Sequence, residues 1–450
     1  MSLNINKSIF KAYDVRGRYP EEINEAAVSR IAEALANQFS AGKIVLGRDA
    51  RLSSSSIYEA IREVFRGRGF DIEDVGTCTT PMFYFLANGL KAAGGVMVTA
   101  SHAPKEFNGL KVVNGKGEVI SGSEILKWIP LETAPALARP GGALGRAVSN
   151  GMDYLKPYVD FLSSKIKLAK PMSVVFDCSN GTAGMVIEKL KVKGLKSEVI
   201  NQEPDGDFPA HGPNPLAEGA LQELQSEVLK SKADLGVIFD ADGDRAFFVD
   251  DLGREVPADA VLFLLSDNFP GPAVANILVG YLAKELFGKS KKELIESRVG
   301  HYFIKKTMKE KKANFGGEFS GHYFFPLGES YFDSGVVAAV YLINEVSKMK
   351  ANGKKLSDWL DGLPVFHRSG EINFEVADKE RAMAMVEGKY SSVAERVSKL
   401  DGLKMEFGPP VGGWWFALRP SNTENLLRLV MEAKNEEVLR SKLAEIKELL

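Results

Sequence analysis

Three carboxylates in one short run carry the strongest chemical signal in this sequence. Phe239-Asp-Ala-Asp-Gly-Asp-Arg245 sets Asp240, Asp242 and Asp244 at alternate positions directly after an apolar stretch. Ala241 and Gly243 separate them with small side chains, so the backbone can curl and aim all three at one point. Three negative charges held that close repel strongly unless a cation neutralises them. Carboxylate oxygens are hard donors, and Mg²⁺ is the cation they suit. The competing reading is a solvated acidic turn. Apolar residues on both sides argue against it, because they would hold the loop at a sheet end, where ligands bind in α/β proteins. A calcium loop of the EF-hand kind fails on spacing: glycine falls at the fourth place instead of the sixth, and Asp251 at the twelfth in place of Glu.

Other segments carry weaker signals. In Val98-Thr-Ala-Ser-His-Ala-Pro104, Ser101 follows a run of Gly, Val and Met in a turn of small residues. A serine at a strand end can act as a nucleophile or carry a phosphoryl group. It is not a G-x-S-x-G elbow, since Thr99 and Ala103 stand in the glycine places; a plain capping turn is the alternative. Ten residues on, Lys111 offers an acid/base or phosphate-pairing group, or an ordinary surface lysine. Glu318, Ser320 and His322 alternate, and extended backbone would point them to one side. That suits a set of sugar-hydroxyl binders, or the polar face of an edge strand. Arg298–Lys305 adds titratable groups, including His301. Arg419-Pro-Ser-Asn-Thr-Glu424 reads as a phosphate loop or a polar hairpin. Arg419 supplies a bidentate fork, and Ser421, Asn422 and Thr423 supply donors. Tyr13-Asp-Val-Arg-Gly17 and Gly47–Ser53 place Arg16, Arg48 and Arg51 early; for Arg48 and Arg51 a structural ion pair is the preferred reading. Four of the five histidines, at 102, 211, 301 and 322, fall in glycine- or proline-marked segments, unlike core histidines.

These residues need strand ends and turns to position them. Lys43–Gly47, Gly95–Thr99, Ser173–Asp177, Leu235–Phe239 and Asn276–Val279 read as short apolar strands. Val28, Ile31, Leu35 and Phe39 follow helical spacing, as do Leu221, Leu224 and Val228. Alternation of this kind implies βαβ units and mostly parallel sheets. Three stretches, starting near residues 43, 173 and 276, share a strand–turn–helix plan. The Pro-, Gly- and Ala-rich run Thr133–Gly142 is expected to link the first two. The last ~90 residues read as short strands followed by a helical tail, Glu436–Leu450. The division expected is 1–145, 146–252 and 253–362 for three α/β domains, and 363–450 for an α+β domain, the four within the soft prior for 450 residues.

Composition narrows the function classes. Lys+Arg total 57 and Asp+Glu 59, a net charge of −2, so no basic field points to nucleic acid or a membrane surface. With 45% hydrophobic and 26% charged residues the chain is of ordinary globular make-up. Cys78 and Cys178 are too few for a disulfide scaffold or a zinc site, and fit a reducing compartment. Met1–Lys7 lacks the apolar core of a signal peptide, and no window approaches 18 uninterrupted apolar residues. A cytoplasmic protein is expected, with no membrane and no nucleic-acid partner.

Taken in order, five segments resemble the α-D-phosphohexomutase superfamily, in its phosphomannomutase/phosphoglucomutase branch. Tyr13–Gly17 is similar to the family's Y-D-[IV]-R-G, Thr99–Pro104 to T-A-S-H-N-P, and Asp240–Arg245 to D-x-D-G-D-R at every fixed place. Glu318–His322 resembles G-E-M-S-G-H, and Arg419–Glu424 R-P-S-N-T-E. The resemblance implies four domains around a central cleft, three similar α/β domains and a C-terminal α+β domain like the TATA-binding protein. It implies that Ser101 carries the phosphoryl group and that Asp240, Asp242 and Asp244 bind Mg²⁺ together with a phosphoserine oxygen. Lys111, Arg16 and His322 are then the candidates for proton transfer. Tyr13, Arg245 and His301 contact substrate, Glu318 and Ser320 hold sugar hydroxyls, and Arg419, Ser421, Asn422 and Thr423 grip the non-reacting phosphate. The implied reaction moves a phosphoryl group between the 1- and 6-positions of mannose or glucose phosphate. It passes through a hexose 1,6-bisphosphate, with glucose 1,6-bisphosphate or mannose 1,6-bisphosphate as activator, in a monomer or homodimer. The sequence departs from the family at Ala103, where Asn is usual, at Asn425, where Pro is usual, and at Ala275–Tyr281, which has no Lys or Arg.

Three other readings compete. A haloacid-dehalogenase-like phosphatase centred on Asp240 would leave Ser101 and the Arg419 loop unexplained. A non-catalytic sugar-phosphate sensor would be expected to lose the serine or a carboxylate, and both are kept. A phosphoglucosamine mutase would carry Gln and Gly where Phe319 and Asn422 stand.

Overall fold

The computed structural model describes residues 5–129, 153–408, 413–421 and 426–450. The expected linker Thr133–Gly142 lies outside them. The chain divides into two compact units, residues 1–257 with 320–360, and residues 258–319 with 361–450.

The first unit holds two sheets. In one, β1 (Val15–Arg18), β2 (Lys43–Arg48), β3 (Asp71–Thr77), β4 (Gly94–Val98) and β5 (Phe107–Asn114) lie in the order β1-β5-β4-β2-β3, with β6 (Val119–Ile120) on β5. β2 runs parallel to β3 and β4, whereas β5 is antiparallel to both β1 and β4. The expected strand at 95–99 is β4, buried at every residue because both faces are covered. Helix Glu25–Gln38 follows the predicted spacing: Val28, Ile31 and Leu35 are buried, and the Asn24 side chain caps its start by accepting from Ala27 N. Burial of each such aliphatic side chain stabilises by roughly 1.5–3 kcal/mol. Register then does the positioning. Lys111 of β5 pairs with Met97 of β4, and Arg16 of β1 pairs with Gly109 of β5, so all three strands deliver side chains to one end of the sheet.

The second sheet is β10-β9-β7-β8, from β7 (Met172–Asp177), β8 (Leu195–Ile200), β9 (Leu235–Phe239) and β10 (Ala246–Val249). β9 and β10 form a hairpin in which Phe239 pairs with Ala246, so the loop between them is Asp240–Arg245. The hairpin Tyr323–Leu327 and Ser330–Asp333 also belongs to this unit, and His322 bridges to Arg245 just before it.

In the second unit β11 (Ala273–Asn276) lies parallel to and between β12 (Leu294–Ser297) and β13 (Phe315–Gly317). The strand expected at Asn276–Val279 therefore ends where it was to begin. Ile277, Leu278 and Val279 are buried as their apolarity requires, yet they turn. The Asn276 side chain accepts from Leu278 N, and Lys404 Nζ donates to the carbonyls of Ile277 and Val279 at 2.6 and 3.2 Å. Those carbonyls are satisfied by a distant lysine, so no ladder is needed. The alternation expected at Glu318–His322 is also broken: the chain turns at Phe319–Gly321, with Gly321 in the left-handed region. The last part of the unit is a five-stranded antiparallel sheet in the order His367–Glu375, Leu426–Ala433, Trp414–Pro420, Leu403–Phe407, Arg396–Ser398. Helices Lys379–Tyr390 and Glu436–Lys447 cover it, as expected of an α+β segment. No helix among the described residues is long and apolar enough to cross a membrane.

Candidate active site

The first unit gathers Ser101, Lys111, Asp240, Asp242, Asp244, Arg245 and His322. The Asp240–Arg245 loop is tight because Gly243 takes a positive φ of 74° and its N–H returns to the Asp240 carbonyl. Backbone bonds from outside pin the loop: Thr80 N donates to Asp242 O, Thr182 N to Ala241 O, and Gly335 N to Gly243 O. All three aspartates are fully buried, and one carboxylate oxygen of each lies within 4.8 Å of the others.

Ser101 stands beside them. Its hydroxyl donates to Asp240 Oδ2 at 2.7 Å and lies 3.5 Å from Asp244 Oδ1. Lys111 Nζ donates to Asp242 Oδ2 at 2.9 Å and also to Asp244 Oδ2. Asp242 Oδ2 further accepts from the Thr80 and Thr99 hydroxyls, at 2.6 and 3.1 Å. Arg245 donates from its backbone N to Asp240 Oδ1 and from Nε to His322 Nε2 at 3.2 Å. His322 Nδ1 then faces the Ser320 hydroxyl at 3.1 Å, and its Nε2 is 3.5 Å from Asp244 Oδ1.

The electrostatics follow from burial and crowding. Burial, then the Asp244 and Asp242 charges, push the Asp240 carboxyl well above the usual range. Burial also works to raise Asp244, but Lys111, His322 and Arg245 hold it well below that range. Burial would lower the Lys111 ammonium; Asp242 and Asp244 outweigh it and keep it well above its ordinary value. Burial, then Arg245 and Arg16, hold the His102 imidazole well below its usual value, so it stays neutral.

This donor set fits a divalent cation. The carboxylates are hard, convergent and buried, and Asp242 Oδ1 has no hydrogen-bond partner.

Other expected residues lie nearby or elsewhere. Arg16, on β1, pairs with Asp14 at 2.5 Å, next to a half-buried Tyr13. In the second unit, Glu318 Oε1 accepts from Asn276 Nδ2 and Gly300 N, and buried His301 begins helix His301–Lys311. Arg419 Nε donates to Asp401 Oδ2 at 2.9 Å, and Asp401 also draws in Arg298 and Val299 N. Buried Ser421 closes back on Leu426 O through its N–H, and Lys379 Nζ donates to its carbonyl. Asn422 and Thr423 lie outside the described residues. Sequence reasoning passed over Thr80, Thr99 and Asp333. Asp333 joins Asp244 and His322, with one ligand atom of each within 4.8 Å of the others. Thr80 had a signal, the Thr79-Thr80-Pro81 helix start, whereas Thr99 and Asp333 depend on tertiary contacts.

Four family models cover the chain in succession. The description "Phosphoglucomutase/phosphomannomutase, alpha/beta/alpha domain" matches residues 7–129 as domain I, 153–253 as domain II and 258–366 as domain III, and the C-terminal domain matches 371–449. The chain belongs to the phosphoglucomutase/phosphomannomutase family. It has that family's four-domain architecture and is a mutase enzyme, an isomerase by reaction class. It is 35% identical over 455 residues to the "Phosphohexose mutases" protein of Xanthomonas campestris pv. campestris, covering 98% of each chain. It is 33% identical to the phosphomannomutase of Escherichia coli, over 96% of this chain and 98% of that one. The phosphoglucomutase/phosphomannomutase family protein of Burkholderia thailandensis superposes with a TM-score of 0.84 at 27% identity, covering 99% and 98%. The four matched domains are those of a mutase family and not of the Asp240-centred phosphatase.

Proposed function

We propose that the protein interconverts the 1- and 6-phosphates of mannose and/or glucose through a phosphorylated Ser101 and a hexose 1,6-bisphosphate. One observation carries this reading: the Ser101 hydroxyl lies 2.7 Å from Asp240 Oδ2, at the rim of three buried, convergent carboxylates. A serine there is close enough for its phosphoryl oxygen and the carboxylates to share one cation. Asp240, Asp242 and Asp244 would hold Mg²⁺, which polarises the phosphoryl group and makes Ser101 Oγ a better leaving group.

The chain's own groups supply the rest. The substrate's free hydroxyl oxygen forms a bond to phosphorus as the Ser101 Oγ–P bond breaks, and its proton must leave. Lys111 is held as an ammonium by two carboxylates, so it is a poor base and equally a poor acid; it serves as a fixed positive charge and a hydrogen-bond donor. Arg16 and Arg245 are permanent cations suited to phosphoryl oxygens. His322 is the base. Its Nε2 lone pair now receives the Arg245 N–H, and Asp244 Oδ1 at 3.5 Å is the counter-ion for the imidazolium. The resulting bisphosphate reverses in the site, its other phosphate passes to Ser101, and His322 returns the proton. Tyr13 and Ser320 contact the sugar. In the second unit Glu318 and His301 are sugar-binding groups. Arg419, Ser421, Asn422 and Thr423 hold the phosphate that does not react; Arg298, gathered on Asp401, adds charge beside Arg419.

We read the domains as 1–145, 146–252, 253–362 and 363–450, the activator as glucose 1,6-bisphosphate or mannose 1,6-bisphosphate, and the enzyme as a cytoplasmic monomer or homodimer. The test is a ³¹P NMR assay with Mg²⁺ and a trace of glucose 1,6-bisphosphate, on mannose, glucose and glucosamine 1-phosphates. Formation of 6-phosphate that Ser101→Ala abolishes is expected, with mannose or glucose ahead of glucosamine. Turnover that survives Ser101→Ala, or binding of every sugar without turnover, would defeat the reading.

A further inference from the structure

The sequence reading of Arg51 was a structural ion pair, and its Asp49 partner is indeed there, with Nε donating to Asp49 Oδ2 at 3.0 Å. That bond uses one of the five N–H groups of the guanidinium. The other four point into the loop that carries Ser101. Nη2 donates to the carbonyls of Ser101 and Ala103, both at 2.6 Å, and Nη1 to those of Pro104 and Phe107, at 2.7 and 3.1 Å. The side chain is fully buried. Phe208 lies over it, with the ring centre 5.3 Å from the guanidinium carbon. Asp49 is itself held, accepting from Arg51 N and from the Ser54 hydroxyl, which in turn accepts from Asn108 Nδ2.

The backbone of Ser101 gives this arrangement a purpose. Its φ is +51°, a left-handed conformation disfavoured for a residue with a Cβ. Such residues persist where the surroundings over-determine them, commonly at functional sites. Here Thr99 Oγ1 accepts from Ser101 N at 2.9 Å and Arg51 takes Ser101 O, so both flanking peptides are tied. Turning Ser101 to an ordinary conformation would swing its carbonyl off Arg51 and its hydroxyl away from Asp240. Ala103 has no polar side chain to hold the loop, and its carbonyl is also taken by Arg51.

We propose that Arg51 is a positioning residue for phosphoryl transfer: its guanidinium gathers four carbonyls between residues 101 and 107 and so aims the Ser101 hydroxyl at the carboxylate cluster. The inference rests on the reading of Ser101 as the phosphoryl carrier. Lysine keeps the charge but cannot reproduce a planar fork.

Arg51→Lys is compared with the wild type by steady-state kinetics, thermal unfolding and amide hydrogen exchange. Because misplacement of a reacting atom by about 1 Å costs on the order of a hundredfold, kcat should fall by about ten- to a hundredfold while KM moves less than about twofold. Exchange should quicken in 99–107 and not in helix Glu25–Gln38. Either kcat within about twofold of wild type, or a fall that merely tracks the folded fraction with exchange faster throughout the domain, would overturn the proposal. Should Arg51→Lys not fold, Phe208→Leu removes the covering ring and leaves all five hydrogen bonds. A loosening confined to 99–107, with a smaller kcat loss at constant KM, supports the clamp, and no local change overturns it. If the wild type turns over no hexose phosphate, the mutase reading fails separately, and exchange at 99–107 still decides whether Arg51 holds the loop.

Discussion

At the scale of single residues, the site is a problem of charge. Asp242 makes three side-chain hydrogen bonds through one oxygen and none through the other, so the second oxygen is the one open to a cation. Asp242→Asn should weaken Mg²⁺ binding by at least tenfold in calorimetric titration, with the far-UV spectrum unchanged. Far-UV loss would instead show that the carboxylate is needed to fold the loop. His211 is a second charge, outside the site. Burial would lower its pKa, but its bond to Asp177 at 3.1 Å wins and the imidazole titrates above its ordinary value. The sign follows. A raised folded pKa adds stability that is complete below the unfolded value near 6.5 and disappears as pH rises through the folded one. Urea unfolding of His211→Asn should therefore show a loss of about 1 kcal/mol at pH 5.5 and almost none at pH 8.5. An equal loss at both would mean that packing, not charge, holds His211.

At the scale of elements, what could be read depended on whether local pattern or a remote partner decided the conformation. β2, β4, β7 and β9 were legible because three or four apolar residues among glycines and polar turns have few other arrangements, and helix Glu25–Gln38 because its spacing is regular. Ile277–Val279 has the same composition and is not a strand, since Lys404, well over a hundred residues away, takes its carbonyls. This turn also depends on Gly280. A Cβ there would lie 2.1 Å from Arg368 Nη2, 2.3 Å from Glu432 Oε2 and 2.6 Å from Asp259 Oδ2, which are bonded to one another. Gly280→Ala should cost about 3 kcal/mol in thermal or urea unfolding, because it must part a buried ion network. Lys404→Met should cost a similar ~3 kcal/mol by leaving two buried carbonyls without their donor and removing one of the cations paired with Glu296. Near-neutral results would mean that the segment refolds as the strand its composition suggests.

At the scale of the whole molecule, two units with separate hydrophobic cores are not expected to unfold as one two-state system. The carboxylate cluster, Ser101 and Lys111 all belong to the first unit, so cation binding should stabilise that unit selectively. At about 100 times its dissociation constant, Mg²⁺ should add ~2.7 kcal/mol to it. Hydrogen exchange should show this as slower opening of β4, β5 and β9, with the sheet of residues 367–433 unchanged. Uniform slowing throughout, or none, would place the cation elsewhere.

Chemical identity was in the sequence alone. Asp240, Asp242 and Asp244 were read as a cation loop from residue type and spacing, because a metal demands particular atoms and short turns demand small residues; Ser101, Lys111 and the Arg419 loop were singled out in the same way, but only the family resemblance gave them roles. What only the tertiary structure decided is which of those atoms meet and which way they point. Lys111 and Ser101 lie 131 and 139 residues from the aspartates they touch. Arg51 clamps the Ser101 turn from 50 residues away, and Lys404 sets the turn at 277–279 from 127 residues away. Hydrogen-bond geometry depends on distance in space, and strand register and packing bring such partners together where local sequence carries no trace of them.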